Sequence, residues 1–310
     1  VSPNERVIWL TTCNRRLWEA SGERLIRSFL QHQSSQADQQ LWLLYEVDDA
    51  DDLPSSLRDC SSSPVIRLVI IDYRQYPGLV AYLLQHYSQA VPVEFGGQGR
   101  FYYTTPQGYF RYHAVRFLKK VDALSFAFSE LLNCAAEDGE STRIPFASLL
   151  WLDCDCFFEK TLPSSELDEA LFGENDLVFL KSRRAACESG FLGWRYRPER
   201  KSPDGRPVIC SALSIVQDFF VSGEFLHYPR WDDGYIWACL LPRFREKAGL
   251  VYGDIAYDEK GGHVFPYSRL AGYIAHDKGR HGRAFSYLKQ GGLLHVAGAA
   301  PIERYAHPGG

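Results

Sequence analysis

Along the first part of the chain, short apolar runs alternate with stretches of helical periodicity. Val7, Ile8, Trp9 and Leu10 form a strand-sized run bounded by Thr11, Thr12, Cys13 and Asn14. Leu17, Ala20, Leu25, Ile26 and Phe29 then recur at near-helical spacing, which predicts a helix. A second strand is expected over Leu41 to Tyr45, ahead of the acids Asp48, Asp49, Asp51 and Asp52, and a third over Val65 to Ile71. Strand, helix, strand with near-continuous apolar strands implies an α/β protein with a mixed, mostly parallel central sheet flanked by helices. A loop rich in glycine and aromatics is expected from Phe95 to Tyr109. A helix then follows from about Tyr112 to Leu132, with Ala114, Phe117, Leu118, Val121, Leu124 and Phe128 on its apolar face.

Beyond the polar break from Ala135 to Arg143, Ser148 to Leu152 reads as a strand that ends in Asp153. A short helix is expected over Glu166 to Leu171 and a strand over Leu177 to Leu180. Short strands are expected around Gly190 to Trp194 and Val208 to Phe220. A helix over Asp233 to Leu241 should be stopped by Pro242. No repeat and no low-complexity linker divides the chain. The expectation is therefore one domain over 1–310, with its chemistry at the C-terminal ends of strands.

Composition narrows the picture. Of the 310 residues, 45% are hydrophobic and 23% charged, as in ordinary folded proteins, and the net charge of −4 lacks the basic excess of many nucleic-acid binders. No run approaches the roughly 18 apolar residues of a membrane span. Val1 to Arg6 is polar and shows no signal-peptide pattern. The eight cysteines show no C-x-x-C pair, which argues against a zinc site and for free thiols. These features lead to the expectation of a soluble, cytoplasmic protein.

The strongest local signal is the strand Leu149 to Leu152 delivering Asp153 and Asp155, one residue apart. Two carboxylates at a strand end can share one Mg²⁺ or Mn²⁺ and leave positions open for substrate phosphates; a solvated acidic turn would show the same residues. Cys154 and Cys156 are alternative, thiolate ligands. A second segment, Gly272 to Arg283, places His276 next to Lys278, Gly279 and Arg280. The histidine could complete a metal shell and the cations could hold phosphates, or the segment is a basic surface loop. In Trp231 to Trp237, Asp232 and Asp233 either position a catalytic carboxylate or cap the helix that follows. Glu188, in Cys187 to Trp194, is a candidate for sugar-hydroxyl recognition or part of a structural turn. Arg116, Lys119 and Lys120 share one helix and could reach a diphosphate or face solvent. Thr11, Thr12 and Asn14 follow the first strand, where α/β folds commonly bind a nucleotide.

In their order, these segments resemble a family of bacterial and phage proteins assigned as glycosyltransferases of the GT-A fold. The similarity is carried by TTCNRRLWEASGERLIRSFLQH and LWLLYEVDD near the start, FRYHAVRFLKKVDAL before LLWLDCDCFF, and then ESGFLGW, WDDGYIW and FPYSRLAGYIAHDKGRHGR. It spans roughly residues 11 to 283. The resemblance implies a nucleotide-sugar donor, with residues 1–155 as its binding half and 156–310 as the acceptor side. It also implies a D-x-D metal site at Asp153 and Asp155, His276 as a further metal or phosphate contact, and Glu188 and Asp233 in the pocket. The implied reaction moves a hexose from a UDP-sugar to a hydroxyl on a glycan, a small molecule or a modified DNA base, with Asp233 as general base if configuration inverts. A DNA acceptor would call for a basic groove, for which Lys181, Arg183, Arg184, Arg195, Arg197, Arg200 and Lys201 are available. The chain departs from the family pattern at Asp232 and Ala275, which bears on the acceptor side. Two rival expectations are a catalytically silent glycan- or nucleotide-binding protein of the same fold, and a nucleotidyltransferase. The second lacks a glycine-rich loop near the N-terminus; Gly96 to Arg100 follows no clear strand.

Overall fold

A computed structural model describes residues 6–47, 53–90, 93–95, 100–102, 106–137, 148–167, 171–181, 186–228, 233–257 and 264–276. In chain order, β1 (Val7–Asn14) runs into the single turn α1 (Arg15–Leu17), a π-turn over Trp18–Gly22, and α2 (Glu23–Gln33). Then come β2 (Gln39–Glu46), α3 (Ser55–Ser61), β3 (Ile66–Ile71), α4 (Pro77–Ala90), β4 (Val93–Phe95), β5 (Arg100–Tyr102) and the long α5 (Pro106–Glu137). The next elements are β6 (Ser148–Leu152), β7 (Cys156–Phe158), α6 (Ser164–Leu167), β8 (Leu177–Lys181), β9 (Cys187–Arg195) and α7 (Val208–Val221). They are followed by α8 (Asp233–Arg243), β10 (Tyr252–Asp254) and β11 (Ile274–His276).

Among the described residues, seven strands form one sheet in the order β10-β8-β9-β6-β1-β2-β3. The pairs β1–β2, β1–β6, β2–β3 and β8–β10 are parallel, whereas β9 runs antiparallel between β6 and β8. The mixed, mostly parallel sheet flanked by helices is the one the apolar strands predict. Strand β1 sits between β2 and β6, so both of its edges are hydrogen-bonded, and its first five residues are buried. Ile8 and Leu10 point to the layer containing α5, α7 and α8, while Val7 and Trp9 point to the layer containing α2 and β7. On that second side, Phe158 meets Trp9 edge-on at 5.0 Å and Phe29 at 5.5 Å. The β7–β11 pair is thereby pinned over the sheet, with Ile274 opposite Phe158 and His276 opposite Cys156.

The structure corrects several expectations. Val208 to Val221 is one helix, not short strands. Val208, Ile209, Ala212, Leu213, Val216, Phe219 and Phe220 are all buried, at helical spacing, and the β-branched residues among them imitate a strand run. Part of the expected loop from Phe95 to Tyr109 belongs to β5 and to the first turn of α5, which opens on Pro106. Pro242 lies inside α8 rather than ending it, and a π-turn over Phe244–Ala248 follows. The helices α3 and α4 had no counterpart in the sequence reading. Asp48 to Asp52 lie outside the described residues.

Cys13, Cys60, Cys154, Cys156, Cys187, Cys210 and Cys239 are free thiols. No helix among the described residues is long and apolar enough to cross a membrane.

Candidate active site

Strand β6 ends at Leu152, and the chain turns through Asp153 and Asp155 before entering β7. The Asp153 N–H donates to Gly190 O of β9 at 2.9 Å, and the Cys156 N–H donates back to Asp153 O at 2.9 Å. The turn is therefore held by the sheet itself. Asp153 Oδ1 accepts from Trp151 Nε1 at 2.7 Å and lies 3.1 Å from Lys120 Nζ. Asp155 points elsewhere: its Oδ1 is 2.9 Å from His276 Nε2. His276 is brought there by β11, across 121 residues of sequence. Its side chain is 1% exposed and its ring packs 5.2 Å from Phe265. Glu188 in β9 accepts the Gly190 N–H at 3.2 Å and stands 4.0 Å from His276 Nδ1.

Asp233 begins α8. Its Oδ1 accepts the Gly234 N–H at 2.9 Å, and its Oδ2 accepts from Lys120 Nζ at 3.0 Å. Lys120 also donates to Ser189 O at 2.7 Å and lies 5.2 Å from the centre of the Trp151 ring. One ammonium thus ties the strand-end carboxylate to the α8 carboxylate. Burial pulls the Lys120 pKa down, but Asp153 and Asp233 outweigh it, and the net displacement is upward. For Asp153, burial pushes the pKa up and Lys120 opposes it; the neighbouring charges of Asp155 and Asp233 push the same way as burial.

Asp153, Asp155, Glu188, Asp233 and His276 are accordingly brought to one end of β6 and β9. The sequence reading noticed Lys120 but did not separate it from Arg116 and Lys119. The separating signal is angular. On a helical wheel Lys120 falls three residues after Phe117 and four before Leu124, closest of the three cations to the apolar face. Arg116 is exposed, and Lys119 pairs with Glu46 at 2.5 Å. Asn14 caps α1 by accepting the Leu17 N–H at 3.0 Å. Thr11 is buried, its hydroxyl without a hydrogen-bond partner among the described residues, and Thr12 is half-buried. Lys278, Gly279, Arg280, Asp232, Arg183 and Arg184 lie outside the described residues. Arg197 and Arg200, two members of the expected basic groove, instead clamp the buried Asp176 at 3.1 and 2.9 Å.

The donor set fits a divalent ion. Asp155, Cys156 and His276 offer ligand atoms within 4.8 Å of one another. Burial drives the Cys156 thiol well above its ordinary range, so carboxylate oxygen and imidazole nitrogen dominate the site. Such a set suits Mn²⁺ or Mg²⁺ better than a soft ion. Cys154, between the two aspartates, turns away to place its sulfur 3.8 Å from Ser21 Oγ.

Gly190 matters to this arrangement by its size. A Cβ there would stand 3.1 Å from Glu188 Oε1 and 3.1 Å from His276 Cε1. Glu188 can swing aside, but His276 is held between Asp155 and Phe265. Gly190→Ala is expected to tilt the imidazole and to weaken by about tenfold the affinity for any Mn²⁺ that His276 would help to hold, the lower range for disturbed support of a metal ligand. Calorimetric titration measures this; unchanged affinity would show that His276 does not depend on Gly190.

No family model matches the chain, and no curated protein does. Among solved structures, the chain is similar to mouse xyloside xylosyltransferase 1 in its apo form. Identity there is 11%, over 81% of this chain and 85% of that one, with a TM-score of 0.44. It is also similar to the galactosyltransferase LgtC in complex with donor and acceptor sugar analogs. Identity is 9%, over 87% and 86% of the two chains, with a TM-score of 0.45. A third is a glycosyltransferase involved in glycosylation of the major capsid of PBCV-1, at 10% identity, 91% and 99% coverage and a TM-score of 0.39.

Proposed function

We propose that this chain is a metal-dependent glycosyltransferase of GT-A type that moves a hexose from a nucleotide-sugar, UDP-linked, to a hydroxyl acceptor. The observation that carries the reading is the meeting of Asp155 and His276 at the end of β6, with Asp153, Lys120 and Asp233 tied together beside them. Open α/β sheets bind ligands at the carboxyl ends of their strands, and β6 and β1 lie side by side in parallel there. Asp153, Asp155 and His276 would hold Mn²⁺ or Mg²⁺. When bound, that ion supplies positive charge to a departing diphosphate.

The chain's own residues do the rest. Trp151 and Lys120 orient Asp153, the β7–β11 pairing sets His276 against Asp155, and Glu188 stands where a sugar hydroxyl could be received. Both oxygens of Asp233 are already engaged, by Lys120 and by the Gly234 N–H. This favours Asp233 as the partner that steadies Lys120 over Asp233 as a general base. In this reading Lys278 and Arg280, which follow His276 within four residues of sequence, would meet the diphosphate. Residues up to 155 form the donor half of this reading and residues 156–310 the acceptor half, apart from the wall of α2 that faces β7.

The test is thermal stability in the presence of UDP-, GDP-, ADP- and dTDP-linked sugars, with and without Mn²⁺. A ligand at 100 times its Kd adds about 2.7 kcal/mol to the folded state. The expected result is a stabilisation by UDP-sugar that requires Mn²⁺, together with release of UDP. Stabilisation without UDP release would instead identify a silent nucleotide-binding protein, and no stabilisation by any of the four would remove the donor site.

A further inference from the structure

We propose that the groove between α2 and β7 is a saccharide-binding subsite that receives the acceptor as a neutral glycan. The groove has a volume of about 510 Å³, within the usual range for small-molecule sites. Its lining includes Ser21, Glu23, Arg24, Arg27, Gln31 and Phe157. The Arg24 guanidinium lies 3.4 Å from the centre of the Phe157 ring, a flat platform beside the groove. Along the same wall, Arg27 and Glu23 pair at 2.7 Å, and Ser56 Oγ donates to Glu23 at 3.1 Å, which fixes that carboxylate in place. Ser28 Oγ accepts the Phe158 N–H at 2.9 Å and locks α2 onto β7, so the two walls keep their spacing.

The location argues for the acceptor. Asp153 and Asp155 face Lys120 and His276, while Cys154 between them faces Ser21 of the groove. The groove therefore adjoins the carboxylate cluster without being part of it. The chemistry argues for a neutral sugar. Glu19 and Glu23 balance Arg24 and Arg27, whereas a phosphodiester backbone needs an excess of cations. A pyranose can lie against the platform that Arg24 and Phe157 form together and offer hydroxyls to the fixed carboxylate, the guanidinium groups and the Gln31 amide.

This inference names the acceptor of the proposed transferase and rests on that reading for the word acceptor; the groove itself stands apart from it. Lactose, maltose, cellobiose and a thymidine oligonucleotide serve as probes, observed by saturation-transfer NMR on the full chain. At least one disaccharide should receive saturation from the protein. Its signal should fall at least fivefold in Phe157→Ala and in Arg24→Ala, and return in Phe157→Tyr. Melting curves show that each variant is folded. Binding of none of the disaccharides, binding of the oligonucleotide alone, or full signal in Phe157→Ala overturns the proposal. Hydrolysis of UDP-sugar by the unaltered chain, measured separately without saccharide, tells the two readings apart. Hydrolysis with no saccharide bound sinks the groove alone. Saccharide bound at Phe157 with no donor hydrolysed or bound sinks the transferase and leaves a glycan-binding surface.

Discussion

Asp155→Ala is expected to lower Mn²⁺ affinity by more than about a hundredfold and to abolish measurable release of UDP. Disturbing the support of a metal-bound histidine already costs roughly 10- to 100-fold in affinity. Asp155 is proposed as a ligand and is also the group 2.9 Å from His276 Nε2, so its removal takes away one ligand and the alignment of another. The fold should tolerate the change. The Asp155 side chain is 28% exposed, and taking this partner from the buried His276 ring costs about 1–3 kcal/mol. Asp155→Asn separates charge from shape: it keeps a hydrogen-bonding group beside His276 but carries no anion, and it should bind Mn²⁺ nearly as poorly as the alanine variant. Either variant binding Mn²⁺ as tightly as the unaltered chain removes Asp155 from the metal site. In the unaltered chain, affinity should also fall as the medium is acidified. Burial lifts the pKa of Asp153 above the ordinary carboxylate value of about 3.9, so protons begin to compete with the ion before that range is reached.

The residues of this site differ in how far the sequence reveals them. Asp153 and Asp155 are legible because a buried strand points straight at them, and strand periodicity is local information. His276 and Glu188 carry local hints, a histidine beside cations and a glycine-rich aromatic segment. Their meeting depends on β11 pairing with β7 and on β9 entering the sheet antiparallel beside β6. No local pattern specifies that pairing. Lys120 is harder still, because a lysine on a helix normally reaches solvent. Only the packing of α5 against β1, α4 and α7 turns this one inward, where it is 9% exposed. At the level of the fold, the parallel strands were legible from their unbroken apolar runs. Helix α7 was not, since its β-branched Val208, Ile209, Ile215 and Val216 imitate strand runs along a mostly buried helix. Asn14, the last residue of β1, has a local role that its position alone does not reveal: its side chain caps the next turn.

The pairing of Lys120 with Asp153 and Asp233 leads to the second large effect, expected in Lys120→Met. Methionine matches the length of lysine and removes its charge, leaving two carboxylates facing each other with no cation between them. Breaking a buried pair by deleting one partner costs about 3–5 kcal/mol. Asp153 retains 32% exposure, so the lower end, about 3 kcal/mol, is the better expectation. For a chain of this size that corresponds to a melting temperature lower by roughly 6–12 °C. The pH dependence tests the cause. In the unaltered chain the folded-state pKa of Lys120 is raised, so its contribution is fully present below the unfolded lysine value of about 10.4 and is lost as pH rises beyond it. In Lys120→Met the opposing pull on Asp153 is gone, and its pKa moves further above the unfolded value. The native state then binds more protons than the unfolded state above about pH 4, and stability rises as pH falls through the raised pKa. The gap between variant and unaltered chain should therefore narrow in acid and stay wide at pH 7 to 9. Lys120→Arg keeps the charge and should recover most of the loss. A gap that does not change with pH would mean that Lys120 acts through packing alone, and a melting temperature within about 2 °C of the unaltered chain would mean that the three-way pairing does not form in solution.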